Sequence, residues 1–274
     1  MSDDALTELE PAPKPAKYYT PPLSLSVMGL PTAYRRKGSG EAVLFLHGAG
    51  MTRMWLPYYE AMAAKFDFIA PEHPGFGETP RPDWLSGMGD VVIHYHEFMA
   101  RLDLDRVHLI GFSLGGWIAA ELATTYPERF KSLTLMAPIG LRVDWAPLED
   151  IFQVGPVRLW DKLFMNKSLI GDFAGDPGDL DEIVHGYGEG GTFARLAWSP
   201  RYNLQLNRRL GRVTCPALVV LPERDDLVPE SIGLLYADLL PNARTARIKE
   251  AGHALIAEQP ETIAGAVAAH IEGA

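Results

Sequence analysis

The chain has 274 residues, 47% of them hydrophobic and 22% charged, and its formal net charge is −10. This composition is typical of a folded globular protein and excludes disordered and fibrous classes, while the length fits one α/β domain with an insertion. Because an acidic surface repels phosphate groups, nucleic acid is not an expected partner.

The first 26 residues are predicted to form a tail. Five of them are proline, set between acidic and small residues, which disfavours helix and leaves little material for a core. The sequence begins M-S-D-D and lacks the basic segment and apolar run of a secretory signal. It also lacks a stretch of about 20 apolar residues that would span a bilayer. We therefore expect a cytoplasmic protein that does not enter a membrane.

From residue 27 onward, short apolar runs alternate with longer helical patterns. The runs predict strands at residues 42–46, 66–70, 107–110, 133–136 and 217–221. The helical patterns lie at residues 55–65, 91–102, 114–126, 230–240 and 260–271. Because strands buried on both faces are continuously apolar, the alternation predicts an α/β fold with a mostly parallel, doubly wound sheet.

Residues 139–212 interrupt this alternation. They hold no clear buried strand, and two glycine-rich stretches at residues 171–178 and 186–191 predict turns. We interpret this segment as a helical lid inserted into a core formed by residues 27–138 and 213–274. Its apolar residues are expected to face the core, either to roof a cleft or simply to pack the lid on the body. They include Phe152, Leu159, Trp160, Leu163, Phe164, Met165 and Trp198.

The sequence G-F-S-L-G-G at residues 111–116 lies between a predicted strand and a predicted helix. A nucleophile on so sharp a turn needs strained backbone angles, and glycines two residues to either side remove side chains that would clash there. The helix N-terminus also favours developing negative charge. The motif therefore predicts Ser113 as the nucleophile and the Leu114 amide as one donor of an oxyanion hole.

The sequence H-G-A-G at residues 47–50 directly follows the first predicted strand. A glycine-rich turn in this place offers a second backbone amide to an oxyanion, and Ala49 is the predicted donor. His47 is a conceivable catalytic base, but a structural hydrogen-bonding role is favoured, because the predicted function of this loop is carried by its backbone amides.

Two further motifs complete the set. Asp225 and Asp226 follow the predicted strand at residues 217–221, and His253 lies between a short predicted strand at residues 245–249 and the last helix. A serine hydroxyl is a poor nucleophile at neutral pH, and a neutral imidazole is the side chain suited to take its proton. We predict His253 as the base and Asp225 as the acid that orients it, with Asp226 as the alternative acid.

From about residue 27 onward, the chain resembles the lid-bearing members of the α/β-hydrolase superfamily, near the haloperoxidase-like esterases, epoxide hydrolases and meta-cleavage carbon–carbon hydrolases. The features that carry the resemblance are the His47-Gly48 loop, the E-H-P-G-F-G turn at residues 72–77, the turn around Ser113, and the G-H…E-Q-P pattern at residues 252–260. The resemblance implies that Asp225 fills the acid position of the triad. The family usually has glycine where Pro222 stands, so the acid turn departs from its pattern there.

Dehalogenases and epoxide hydrolases of this superfamily have aspartate in the place of Ser113. The serine therefore implies acyl transfer, in which an acyl-enzyme forms and water activated by His253 releases the acid. We expect a carboxylic ester of a small or medium apolar molecule as the substrate, no metal or organic cofactor, and a monomer or homodimer. Carbon–carbon bond hydrolysis, lactonase and perhydrolase activity share the triad and stay open. A non-catalytic binding protein on the same fold is a further alternative, although such proteins typically lose a triad member.

Some residues near these motifs have weaker patterns. We predict that four residues bind substrate, with helix packing as the alternative. They are Met54 and Trp55 near the predicted cleft mouth, and Trp160 and Phe164 in the lid.

His94 and His96 stand two positions apart on a predicted helix and face different directions, which argues against a metal pair. Cys215 is the only cysteine, which excludes an intrachain disulfide, and it is expected at the start of a buried strand.

Overall fold

A computed structural model of the protein describes residues 17–174, 176 and 178–274. Within this part of the chain, eight strands form one sheet in the order β1-β2-β4-β3-β5-β6-β7-β8. The strands are β1 (Leu23–Val27), β2 (Leu30–Lys37), β3 (Ala42–Leu46), β4 (Asp67–Pro71), β5 (Val107–Phe112), β6 (Phe130–Met136), β7 (Ala217–Pro222) and β8 (Ala243–Ile248).

The sheet is mostly parallel, which confirms the predicted fold class. Strands β1 and β2 form an antiparallel hairpin and β2 runs antiparallel to β4, whereas every pairing from β4 to β8 is parallel. The central strand β5 is buried along its whole length, as a continuously apolar strand requires. The parallel strands therefore bring their carboxyl ends, and the loops that follow them, to one edge of the sheet.

Helices cover both faces of this sheet. The helices of the core are α1 (Pro57–Ala63), α2 (Met88–Arg101), α3 (Leu114–Thr125), α8 (Glu230–Leu239), α9 (Leu255–Glu258) and α10 (Pro260–Glu272). Residues of α2, α3 and α8 share one buried apolar cluster with Leu44 and Leu46, whereas residues of α1, α9 and α10 share the other with Val43 and Phe45. Successive residues of β3 thus point to opposite cores, which is the two-residue period of a strand.

The hairpin β1–β2 lies in a part of the sequence with no predicted strand. Strand β1 begins at Leu23, inside the stretch predicted as a tail, while residues 1–16 of that stretch lie outside the described residues. The sequence of β1 alternates leucine and serine and is mostly exposed at the edge of the sheet. An exposed edge strand does not need the continuous apolar run on which the other predictions depended.

Between β6 and β7 the chain forms a helical insertion. Its helices are α4 (Pro156–Leu163), α5 (Ile170–Phe173), α6 (Leu180–Ala197) and α7 (Leu204–Arg209). The turn predicted at residues 186–191 is wrong, because these glycines lie inside α6. The other predicted turn, at residues 171–178, begins inside α5. Residues 175 and 177 of that stretch lie outside the described residues.

Contacts made by its other residues hold α6 in helical form despite its glycines. Asp179 caps the helix through its carboxylate, and Thr192 and Phe193 are buried near its end. Tertiary contacts of this kind outweigh the loss of about 1 kcal/mol for a glycine in a helix interior.

The apolar residues of the insertion do not all face the core, contrary to the prediction. Phe164 is fully buried, but Trp198 is 61% exposed and Met165 is 43% exposed. Both lie beyond the ends of their helices, where the periodic pattern no longer fixes which way a side chain points. Cys215 is half-buried and precedes β7 by two residues.

Candidate active site

Ser113 occupies the sharp turn between β5 and α3. Its backbone has φ 52° and ψ −112°, a left-handed conformation that is strained for a residue with a side chain. The Ser113 amide donates to the carbonyl of Met136 at 2.9 Å, and its carbonyl accepts from the amides of Trp117 and Ile139. Hydrogen bonds on both sides therefore hold the strained residue in place, with its side chain half-buried and open to solvent.

The glycines around Ser113 are required by close approach of the backbone. A Cβ atom at Gly115 would collide with the carbonyl oxygens of Leu46 and His47, and one at Gly111 would lie 2.7 Å from the Cβ of Ala119. A Cβ at Gly48 would lie 3.3 Å from the Cβ of Ser113. The turn and the loop after β3 are thus packed backbone against backbone.

Three side chains form a hydrogen-bonded line at this edge of the sheet. His253 Nε2 lies 2.9 Å from Ser113 Oγ, and His253 Nδ1 lies 2.8 Å from Asp225 Oδ2. Because an ionised carboxylate only accepts hydrogen bonds, the imidazole carries its proton on Nδ1 and leaves Nε2 to accept from the serine hydroxyl. This arrangement suits removal of the serine proton by the histidine.

Of the two neighbouring aspartates, the structure brings Asp225 to the histidine. Its second oxygen, Oδ1, accepts from the amides of Leu227 and Val228 at 2.9 and 2.8 Å, which leaves Oδ2 directed at His253. The Asp225 side chain is 5% exposed, whereas that of Asp226 is 40% exposed and contacts Arg224. The buried turn therefore fixes one carboxylate in register despite the proline at position 222.

A pair of stacked histidines supports the loop that carries Ala49. His47 Nε2 accepts from the amide of His73, so its Nδ1 carries the proton and donates to the Gly48 carbonyl at 2.6 Å. His73 Nε2 in turn donates to the carbonyl of His47 at 2.7 Å, and its Nδ1 accepts from the hydroxyl of Tyr95. Burial lowers the pKa of His47 to about 4 and that of His73 well below its ordinary value. Both rings are neutral at pH 7, which fits the structural role that the sequence favours for His47.

The amides of Ala49 and Leu114 are the predicted donors of the oxyanion hole. Within the described residues, neither amide donates a hydrogen bond to another protein group. Leu114 is the first residue of α3, and Ala49 is exposed beside Gly48, which packs on Ser113. Their role as oxyanion donors stays a prediction that this placement favours.

A model of the alpha/beta hydrolase family matches residues 43–266, which include all three residues of the line. The chain belongs to the alpha/beta hydrolase family. This finding confirms the resemblance inferred from the motifs.

Individual known proteins are similar to this chain over most of its length. A 2-hydroxy-6-oxo-6-(2'-aminophenyl)hexa-2,4-dienoic acid hydrolase of Metapseudomonas resinovorans is 26% identical and covers 87% of this chain and 86% of its own length. A putative non-heme bromoperoxidase of Mycobacterium tuberculosis is 28% identical, covering 84% of this chain and 94% of its own length. Among solved structures, the meta-cleavage product hydrolase of Pseudomonas fluorescens IP01 superimposes with a TM-score of 0.79 at 22% identity, over 92% of this chain and 98% of that one. The last likeness shows the fold of the alpha/beta hydrolase family.

The four predicted substrate-binding residues are engaged mainly in packing. The Trp55 ring stands edge-on to Tyr59 and Phe68, and its indole N–H donates to Glu60. In the insertion, the Phe164 ring is stacked on Trp160 and lies tilted against Phe173. Met54 is half-buried and borders a narrow cleft with Tyr59 and Glu72. Substrate binding by these residues stays a prediction, and for Trp55 the packing alternative has the clearer contacts.

Sequence patterns missed one neighbour of the site, Phe112. Its ring is buried, lies tilted against the His253 ring at a centroid distance of 5.3 Å, and leaves 3.0 Å to a Cβ placed on Gly48. Phe112 therefore supports the imidazole and the loop after β3 together. The only signal was its position inside the motif around Ser113, immediately before the serine.

Helix α6 is attached to the loops after β3 and β4 by ionised side chains. Glu189 accepts from the hydroxyl of Thr52 at 2.5 Å and from the amide of Gly77 at 2.8 Å, and Glu182 forms an ion pair with Arg53 at 2.8 Å. Burial alone would raise the pKa of Glu189, but these bonds, together with the neighbouring imidazole on α6, outweigh it and lower the pKa. The charged side of α6 thus faces the core of this alpha/beta hydrolase.

A cavity near the site lies beside the turn that carries Asp225. It has a volume of about 260 Å³ and is bordered by Asp225, Val228, Ala137 and Gly233, among others, and not by Ser113 or His253.

Among the described residues, no group of three or more histidine, cysteine or acidic side chains is arranged to hold a metal ion. In the same part of the chain, none of the helices has the length and apolar character needed to cross a membrane.

Proposed function

We propose that this protein is a serine hydrolase that cleaves a carboxylic ester through an acyl-enzyme on Ser113. The observation that carries the proposal is the hydrogen-bonded line from Ser113 through His253 to Asp225, with distances of 2.9 and 2.8 Å. Nucleophile, base and orienting acid within hydrogen-bond reach are the features that activate a serine.

The reaction proceeds in two halves. In the first, Ser113 Oγ bonds to the ester carbonyl carbon while its proton passes to His253 Nε2, and the leaving alcohol then takes that proton as its bond to the carbonyl breaks. In the second, water attacks the acyl-enzyme, gives a proton to Nε2 and releases the acid, and the proton returns to the serine. The amides of Leu114 and Ala49 stabilise the negative oxygen of each tetrahedral intermediate.

An apolar substrate of small or medium size agrees with the surroundings of the serine. Phe112 and Leu114, which flank Ser113 in the chain, are both buried apolar residues. The insertion contacts the histidine loop through the backbone of Leu163. In the chain, Leu163 lies between Trp160 and Phe164, whose rings form an aromatic cluster with Phe173. Apolar side chains of this kind favour acyl or alcohol groups without charge.

Hydrolysis of a carbon–carbon bond is a second candidate. It is favoured by the 26% identity, over 87% of the chain, to a hydrolase named for a 2-hydroxy-6-oxo-hexa-2,4-dienoic acid. The same three side chains serve both reactions, and the difference lies in which carbonyl compound the pocket accepts.

A panel of substrates separates the candidates. We expect the purified protein to hydrolyse p-nitrophenyl esters of short to medium acyl length, and to cleave a 2-hydroxy-6-oxo-dienoate more slowly. Faster turnover of the dienoate would favour the second candidate. Absence of turnover on both, with Ser113 unlabelled by a fluorophosphonate, would contradict both and favour a binding protein.

A further inference from the structure

The backbone on both sides of His253 is fixed by partners outside its own loop. The amide of Ala254, on one side, donates to the carbonyl of Leu163 at 2.8 Å. The amide of Gly252, on the other side, donates to Glu258 Oε2 at 2.6 Å. Leu163 is the last residue of α4, so one of these two partners belongs to the insertion.

Glu258 connects the same two parts of the molecule. While its Oε2 accepts from Gly252, its Oε1 accepts from the amide of Asn166 at 2.6 Å. Asn166 follows α4 in the insertion, whereas Glu258 is the last residue of α9 in the core. Hydrogen bonds from backbone amides to a carboxylate are shorter and stronger than those to a neutral acceptor. A single carboxylate therefore ties the histidine loop to the insertion.

The fit between these parts leaves no free space at Gly252. A Cβ atom on this residue would lie 2.8 Å from the Met165 nitrogen and 3.0 Å from the Leu163 carbonyl oxygen. Contacts of backbone with backbone cannot be relieved by a side-chain rotation. The residue before the histidine must therefore remain glycine for the insertion to approach this closely.

We propose that Glu258 is a positioning residue that sets the His253 imidazole for proton transfer by joining its loop to the insertion. This rests on the proposed hydrolase function. The backbone of the insertion then helps to place the base, through the Leu163 carbonyl and the Asn166 amide. A shift of the loop changes the distance from Nε2 to the serine hydroxyl and leaves the serine turn itself untouched.

Two variants test the link from opposite directions. Glu258→Gln keeps the size of the side chain but removes its charge and one of its two good acceptors, and Gly252→Ala keeps Glu258 but forces the insertion away from the loop. Because small misplacements of a catalytic group cost up to about 100-fold, we expect kcat on the best ester to fall about 10- to 100-fold in each, with KM changed less than about threefold. Glu261→Gln removes the same charge from an exposed position nearby and should leave both constants at the wild-type level.

A measurement that needs no turnover accompanies the kinetics. In protein labelled with ¹⁵N-histidine, the His253 Nδ1–H proton shared with Asp225 should give a downfield resonance, and in Glu258→Gln and Gly252→Ala it should shift and exchange faster with water. Wild-type protein that neither hydrolyses esters nor reacts with a fluorophosphonate would contradict the hydrolase function, whereas the resonance would still report on positioning.

The proposal is overturned if both variants keep kcat within about twofold of wild type and leave the resonance unchanged. If Glu258→Gln lowers the melting temperature but the fully folded variant has a normal kcat, Glu258 contributes to stability alone. That result would overturn the proposal as well.

Discussion

The Ser113 hydroxyl lies 2.9 Å from His253 Nε2, although 140 residues separate the two in the chain. The parallel sheet brings them together, because β5 and β8 end at the same edge and the loops that follow carry the two side chains. Asp225, after β7, completes the line from the strand between β6 and β8.

Replacing the serine should remove catalysis and leave the fold intact. In Ser113→Ala we expect ester hydrolysis to fall by about 10⁴- to 10⁶-fold, the range found when a triad nucleophile is lost. Far-UV circular dichroism and the melting temperature should stay close to those of the wild type, because alanine occupies the same turn. Residual activity within tenfold of wild type would exclude Ser113 as the nucleophile.

The two adjacent aspartates should differ strongly in their effect on turnover. Asp225→Asn removes the acceptor that fixes the His253 tautomer, and kcat should fall by about 10³- to 10⁴-fold. Asp226→Asn changes a half-exposed residue that contacts Arg224 and should alter kcat less than about twofold. Equal losses in the two variants would reassign the acid.

The structure brings together the three side chains that local sequence patterns singled out, Ser113, His253 and Asp225, while their catalytic roles stay predictions. The turn around Ser113 is specified within six residues, and Ser113 directly follows β5. Asp225 and His253 lie in the loops that follow β7 and β8. Strand β1 has no such local signature, because it is an exposed edge strand and such strands tolerate polar residues. The glycines of α6 are helical despite their low helix propensity, because Glu182 and Glu189 on the same helix contact distant loops. These long-range contacts are not visible in the local sequence. The contact of Glu258 with Asn166 spans 92 residues, and no periodicity encodes a pairing of that kind.

Two glycines in helices should respond to alanine with opposite sign. Gly115→Ala places a methyl group against the backbone carbonyls of Leu46 and His47, so the free energy of unfolding should fall by about 1–3 kcal/mol. Gly265→Ala in α10 meets no atom within 4 Å and should raise it by about 0.5–1 kcal/mol through helix propensity. Urea unfolding at pH 7.5 measures both. Similar values for the two variants would show that the close packing at the serine turn does not determine stability.

Stability should decrease in mild acid because of buried neutral histidines. Burial lowers the pKa of His94 to about 4, whereas an unfolded histidine has a pKa near 6.5. Between about pH 6.5 and 4, the unfolded state therefore binds a proton at His94 that the folded state does not bind. The contribution of neutral His94 to the free energy of unfolding is fully present above pH 6.5, is lost as the pH falls, and changes no further below pH 4.

The variant His94→Gln isolates that contribution. Between pH 6.5 and 4.5, the decrease in the free energy of unfolding should be smaller than in wild type by up to about 1.4 kcal/mol per pH unit. His96→Gln, on the same helix but half-exposed, is the matched control for losing an imidazole. The account of His94 fails if the two variants show the same slope.

Covalent labelling tests the activated serine most directly. Folded wild-type protein incubated with a fluorophosphonate should gain the mass of one phosphonyl group, and peptide mapping should place it on Ser113. Ser113→Ala and urea-unfolded protein should gain none, and Asp225→Asn should react far more slowly than Asp226→Asn. Wild-type protein that stays unmodified, or a label on a serine other than Ser113, would contradict the proposed mechanism.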